Sequence, residues 1–333
     1  MEFLHLIRLV GSTAFGAFLL TGCSGRQQQT PEAPNPGKPA ATMATVPSVP
    51  TFNGTRAFDA LLKQTSFGPR NPNSRGHREC LEYLESTLHG LADEVRLQPF
   101  SHVGYHGEVL QLTNVIGSFR PQEKTRILLC AHWDTRPRAD QDSDTSKRET
   151  PIIGANDGAS GVAVLLELAA LLKKTPPPIG VDLVLFDGED YGLEGDHDSY
   201  LLGSRYFAKN RPASYLPRFG ILLDMVGDKS LELPKEGYSV RYGPDIVKMV
   251  WNTAKELGVS QFIDGPGEEI IDDHLPLNDA GIVTIDIIDF NYPDPTHRFW
   301  HTHQDIPENC SAESLDAVGT VLTRVVYSQN PDR

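Results

Sequence analysis

The side chains that could do chemistry fall in a few short stretches: His132-Trp-Asp134, Asp157 within Gly154-Ala-Asn-Asp-Gly158, Asp187-Gly-Glu189-Asp190, Asp224, Asp272-Asp-His274 and Trp300-His301-Thr302. Carboxylates with one or two imidazoles and no thiolate, with a coordination position left open, suit a catalytic zinc ion better than a structural one. Gly154, Gly158 and Gly161 around Asp157 free the backbone to turn sharply and bring that carboxylate inward. Glu189 and Asp190 repel each other unless a cation neutralises one, and the other then acquires a raised pKa suited to proton transfer. Each residue also has a plainer reading. Asp157 could be a helix N-cap, Asp134 and Asp187 loop acids, and His132 a hydrogen-bonded core histidine. Their joint placement favours a site. Asp196-His-Asp198, on a glycine-bearing loop, reads as solvated surface, and His297 and His303 read as rim residues beside His301.

That placement follows from the elements around them. Continuous apolar runs, of the kind a sheet covered on both faces requires, predict strands over 110–116, 126–131, 181–186, 220–224 and 282–288. Helical stretches lie between and after them, over 160–174, 202–209, 245–257 and 312–328, and Leu81, Leu84, Leu88 and Leu91 recur at helical spacing. Strands alternating with helices give an α/β protein, a three-layer α/β/α sandwich around a central mixed, mostly parallel sheet. The candidate residues sit where predicted strands end, and in open α/β sheets ligands bind at the carboxyl ends of strands.

The chain has 333 residues, 44 acidic against 30 basic, a net charge of −14 and 39% hydrophobic residues. Such a composition excludes a disordered chain and a basic nucleic-acid binder. Arg8 precedes the apolar run 9–20, which is too short to span a bilayer but right for a signal-peptide core. It leads into Leu20-Thr-Gly-Cys23, which resembles the lipobox of bacterial lipoproteins. Residues 1–22 are then a signal peptide, Cys23 the lipidated first residue, 23–52 a Pro/Ala/Thr-rich tether, and 53–333 a single catalytic domain. A membrane-anchored protein of the bacterial cell envelope is the expectation. The cysteines at 23, 80, 130 and 310 form no metal knuckle, and a disulfide between two of the last three is open. No serine-nucleophile elbow, P-loop or dinucleotide fingerprint is present. Oligomeric state is not readable.

The motifs His132-Trp-Asp134, Gly154-Ala-Asn-Asp157, Phe186-Asp-Gly-Glu189-Asp190, Leu202-Gly-Ser-Arg205, Leu222-Leu-Asp224, Asp272-Asp-His274-Leu-Pro276 and Trp300-His-Thr302 resemble, in order and rough spacing, the animal-type glutaminyl-peptide cyclotransferases. Those enzymes share a fold with the zinc aminopeptidases. The resemblance implies one zinc held by Asp157, Asp190 and His301, with Glu189 as general acid/base. It makes Asp224 and Asp272 the carboxylates around the reaction centre and Trp300 the wall beside the substrate side chain. Peptides or proteins with N-terminal glutamine would be the partners, converted to pyroglutamate with release of ammonia.

The aminopeptidase reading uses many of the same residues. His132, Asp157 and Asp224 would hold a second zinc, with Glu189 activating a metal-bound water. Asp272 at the position of the cyclase's second acid, and Trp300 directly before the ligand histidine, tilt the reading towards the cyclase, although Trp300 could also be a core aromatic. A non-catalytic binding lipoprotein would be favoured only by a missing ligand or acid, and none is missing. Two departures stand out: the second acid of the cyclase Glu-Glu pair is the shorter Asp190, and the loop 191–200 lacks the pocket tryptophan of animal cyclases.

Overall fold

The computed structural model describes residues 49–193 and 195–332. The signal peptide, Cys23 and nearly all of the tether lie outside them. The chain runs α1 (Gly54–Thr65), α2 (Arg75–Leu91), β1 (Glu94–Val103), β2 (Val109–Phe119), β3 (Arg126–His132), α3 (Ala159–Lys174), β4 (Gly180–Phe186), α4 (Leu202–Asn210) and β5 (Gly220–Asp224). It continues through β6 (Leu233–Lys235), α5 (Gly237–Tyr242), α6 (Pro244–Leu257), β7 (Phe262–Pro266), α7 (His274–Asp279), β8 (Thr284–Ile288) and α8 (Ala312–Tyr327).

A six-stranded sheet runs β1-β2-β4-β3-β5-β8. Strands β4, β3, β5 and β8 are parallel neighbours, while β1 and β2 add antiparallel at one edge. The period-two alternation of a strand explains the continuous apolar runs. Ile127, Leu129 and Ala131 of β3 face one core with Leu183, Leu185, Ile221 and Leu223. Leu128 and Cys130 face the other with Val184, Phe186 and Leu222. Helices α1, α2, α3, α6 and α8 cover the first face and α4 and α7 the second, so the expected three-layer sandwich is observed. Helix α3 is apolar nearly all round and almost wholly buried, as a helix between a sheet and an outer helical layer must be.

Several boundaries differ from the sequence expectations. Strand β1 escapes an apolar-run criterion because it is an edge strand with one residue in the buried class and Pro99 in its middle. The strand expected from 282 begins at Thr284, since Gly281 (φ +82°) makes the preceding turn. Phe52, expected in the tether, is 5% exposed and lies where any side chain at Gly319 of α8 would stand, so the packed chain starts before 53. The small sheet β6-β7 and the short helices α5 and α7 carry no long pattern. No pair among Cys80, Cys130 and Cys310 is bonded, and all three are buried thiols. Among the described residues, no helix is long and apolar enough to cross a membrane.

Candidate metal centre

Because β4, β3, β5 and β8 are parallel and adjacent, their carboxyl ends line up at one edge of the sheet. The site is built there. His132 is the last residue of β3 and Asp224 the last of β5, while Glu189 and Asp190 follow β4. Asp157 arrives from the loop before α3, whose N-cap is Gly158, so Asp157 is not the capping residue. Gly158 has φ +101°, and a Cβ there would stand 2.4 Å from the carbonyl oxygen of Asp134. Only glycine fits this turn without strain, and the turn presents Asp157 to the strand ends.

The ligand candidates form two groups sharing Asp157: His132, Asp157 and Asp224, and Asp157, Asp190 and His301, each with ligand atoms within 4.8 Å of one another. Asp157 Oδ1 lies 3.1 Å from His132 Nε2, which is 3.2 Å from Asp224 Oδ1. On the other side, Asp157 Oδ2 lies 3.6 Å and Asp190 Oδ1 3.2 Å from His301 Nε2. All five side chains are in the buried class.

Gathering these acids in one buried place makes some hard to ionise. Burial, then the neighbouring Asp190, raises the Asp157 carboxyl. Burial also pushes Asp190 up, but His301 and Arg136 outweigh it and hold it at about 2. Asp272 is pushed up to about 7 by burial and by Asp224. Glu189 is raised well above the ordinary carboxyl range by burial, with Asp272 and Asp190 adding to it against the pull of His132. Burial pulls His132 down, but the carboxylates of Asp134, Asp157 and Asp224 around it outweigh that and raise it. The donor set fits a zinc ion: carboxylates and imidazoles converge, and Asp190 Oδ2 is buried without a hydrogen-bond partner, a costly arrangement that a cation relieves.

Beside the ligands lies a cavity of about 80 Å³ lined by Glu189, Asp224, Asp272, Tyr200, Ile288, Phe290 and Trp300, among others. Trp300 is half-buried, stacks on His301 with ring centroids 3.7 Å apart and meets Phe290 edge-on at 5.2 Å. It also lines an outer groove with Gln141, Arg298 and Gln304. The wall is thus a Trp300–Phe290–Tyr200 set, with Tyr200 contributed by the loop that lacks a tryptophan.

Other candidates do not reach the cavity. Asp187 accepts from His77 Nε2 and the Thr113 amide, while Asp134 accepts from the amides of Glu189 and Asp190. These two buried acids organise the loop after β4. His274 is fully buried between Glu236 and Asp286, behind Asp272. Asp196, His197 and Asp198 are exposed. His297 bonds the carbonyl of Phe290 and His303 bonds Asp142, so both are rim residues. Sequence reasoning missed Asp305, whose carboxylate accepts from the amides of Asn156 and Asp157 at 2.7 and 3.1 Å and ties Asp157 to the His301 loop. It also missed Arg136 and Asp140, which bond to each other beside Asp190. No spacing rule marks these residues, because their importance lies in what they touch.

Residues 114–326 match the model of Peptidase family M28. The chain belongs to that family. A glutaminyl cyclase from Bacteroides thetaiotaomicron, solved bound to N-acetylhistamine, is 44% identical, with a TM-score of 0.81 over 85% of this chain and all of that one. A Zn-dependent exopeptidase from Parabacteroides distasonis is 41% identical, with a TM-score of 0.82 over 85% of this chain and all of that one. The glutaminyl-peptide cyclotransferase of the snake Boiga irregularis is 22% identical over 76% of this chain and 75% of its own length. The M28 fold, the buried His/Asp ligand groups and these relatives agree on a zinc centre.

Proposed function

We propose that this M28 chain is a zinc-dependent glutaminyl-peptide cyclotransferase that converts N-terminal glutamine of peptides and proteins to pyroglutamate. The observation that carries the reading is Asp272. It adds a third carboxyl to Glu189 and Asp224 around a small, aromatic-walled cavity, and the likeness to solved glutaminyl cyclases supports it. Asp157, Asp190 and His301 would hold one zinc, which when bound polarises the γ-carbonyl of the substrate glutamine. Trp300 and Phe290 wall the glutamine side chain and exclude water. Asp272 and Asp224 hold the amino group, and Glu189 takes a proton from it. The α-nitrogen bonds to the γ-carbonyl carbon, the carbon–amide-nitrogen bond breaks, and Glu189 returns its proton to the departing ammonia. The raised Glu189 carboxyl suits that transfer, and the product requires no attacking water.

Di-zinc aminopeptidase chemistry is the second reading, favoured by the complete His132, Asp157, Asp224 group and the exopeptidase relative. Against it, Asp272 adds a carboxyl to the cavity beside this group, and the likeness to solved glutaminyl cyclases favours the first reading. The two are separated by product identity. Incubation of the zinc-loaded protein with a Gln-initiated and a Leu-initiated peptide, followed by mass spectrometry, should show loss of ammonia from the first and no change in the second. Removal of the first residue from either peptide would reject the cyclase. The lipobox-like Leu20-Thr-Gly-Cys23 supports a lipid-anchored envelope location.

A further inference from the structure

The turn after β3 carries a guanidinium that the chemistry above leaves without a task. Arg136 is 1% exposed and among the largest fully buried side chains, and a buried charge is tolerated only when paired and hydrogen-bonded. Its Nη1 donates to Asp190 Oδ1 at 3.0 Å and to the Asp190 carbonyl at 3.3 Å. Its Nε donates to Asp140 Oδ1 at 2.7 Å and its Nη2 to the Tyr200 hydroxyl at 2.9 Å. Asp140 in turn places Oδ1 3.8 Å from Nδ1 of His301, the ring nitrogen opposite the one facing Asp157 and Asp190. The backbone reinforces the link: the Gln141 amide donates to the His301 carbonyl at 3.3 Å, and Asp142 accepts from the His303 amide at 3.1 Å. A circuit of contacts therefore runs Asp190, Arg136, Asp140, His301, hydrogen-bonded from Asp190 to Asp140 and completed by the 3.8 Å approach of Asp140 to His301. Neither Arg136 nor Asp140 lines the cavity.

The circuit meets a specific need. Asp190 is one methylene shorter than glutamate, so its carboxylate reaches the site only where the backbone and χ angles are held. Arg136 reaches both its carboxylate and its carbonyl through Nη1, while Nε and Nη2 fork onto the Asp140 carboxylate and fix the plane of the guanidinium, an arrangement a lysine ammonium cannot copy. His301 sits at φ +54°, a left-handed backbone uncommon for a non-glycine residue and one that surrounding contacts must maintain. We propose that Arg136 and Asp140 are positioning residues that hold Asp190 and His301 in ligand geometry before zinc arrives. This rests on the reading of those two residues as zinc ligands.

The test measures zinc affinity by chelator competition, with thermal unfolding of the metal-free proteins alongside. Arg136→Met and Asp140→Asn should each weaken zinc about ten- to hundredfold, the range for partners that orient metal ligands. Arg136→Lys, which keeps charge but not the fork, should recover only part of the loss. The double variant should lose little more than the worse single one, because either change opens the same circuit. If Arg136→Met does not fold, Asp140→Asn and Arg136→Lys decide the matter. Wild-type affinity in both would overturn the positioning role, as would weakening matched by an equal destabilisation of the metal-free protein. Asp190→Ala and His301→Ala test the underlying ligand reading separately: unchanged zinc binding in these would reject that reading, whereas lost binding in these with unchanged binding in the Arg136 and Asp140 variants would reject only the positioning role.

Discussion

Glu189 shows how environment assigns a role. Its neighbour Asp190 has His301 and Arg136 beside it and is held ionised at about 2, while Glu189, without a guanidinium, is raised well above the usual range. Two adjacent acids are thus set apart by their surroundings, in the sense that the proposed roles of ligand for Asp190 and proton carrier for Glu189 require. Glu189→Gln keeps the size and leaves the Asp134 bond to the backbone amide. It should retain zinc and lose about a hundredfold or more in rate, measured by metal analysis and ammonia release on one sample. Near-normal turnover would remove Glu189 from the role. The residues that gather at the strand ends were legible because acids and histidines at strand termini stand out in sequence. Arg136, Asp140 and Asp305 were not, because a buried arginine or aspartate looks in sequence like any surface charge. Asp187 was legible as an acid at a strand end but not as the partner of His77, which lies 110 positions away.

Among the elements, the loop from β3 to α3 carries the most constraint. Gly158 lies against the carbonyl of Asp134 and the His132 ring with φ +101°. Gly158→Ala should therefore cost about 2 kcal/mol or more, combining left-handed strain with the steric clash. A denaturant titration measures it, and an unchanged midpoint would mean that the turn relaxes freely. The parallel strands were readable because burial on both faces leaves long apolar runs, whereas β1, exposed along much of its length, and the three-residue β6 leave none. Helix α1 was missed for another reason. It starts directly after the Asn53 cap, whose side chain accepts from the Arg56 amide, and Asn53-Gly54 merges in sequence with the Pro-rich stretch before it instead of marking a helix start.

For the whole molecule, the net charge of −14 acquires a partial location. Asp157, Glu189, Asp190, Asp224 and Asp272 converge beside the zinc centre, and more buried acids, Asp134, Asp187 and Asp305, build the loops around them. The proposed anchor belongs to this scale too. Full-length protein expressed in a bacterium should sediment with membranes, Cys23→Ser should be released or retained unprocessed, and turnover of a soluble peptide should match between the two. Fractionation and a rate assay check this, and identical soluble behaviour of both forms would remove the anchor. The central claim is that one zinc and a carboxyl-lined cavity perform cyclisation. The most direct measurement titrates metal-free protein with zinc while following pyroglutamate formation from a Gln-initiated substrate and cleavage of a Leu-initiated amide. The account predicts that cyclisation reaches its plateau at about one zinc per chain with no cleavage at any loading. Activity that appears only at two zincs per chain, with release from the leucine substrate, would contradict it.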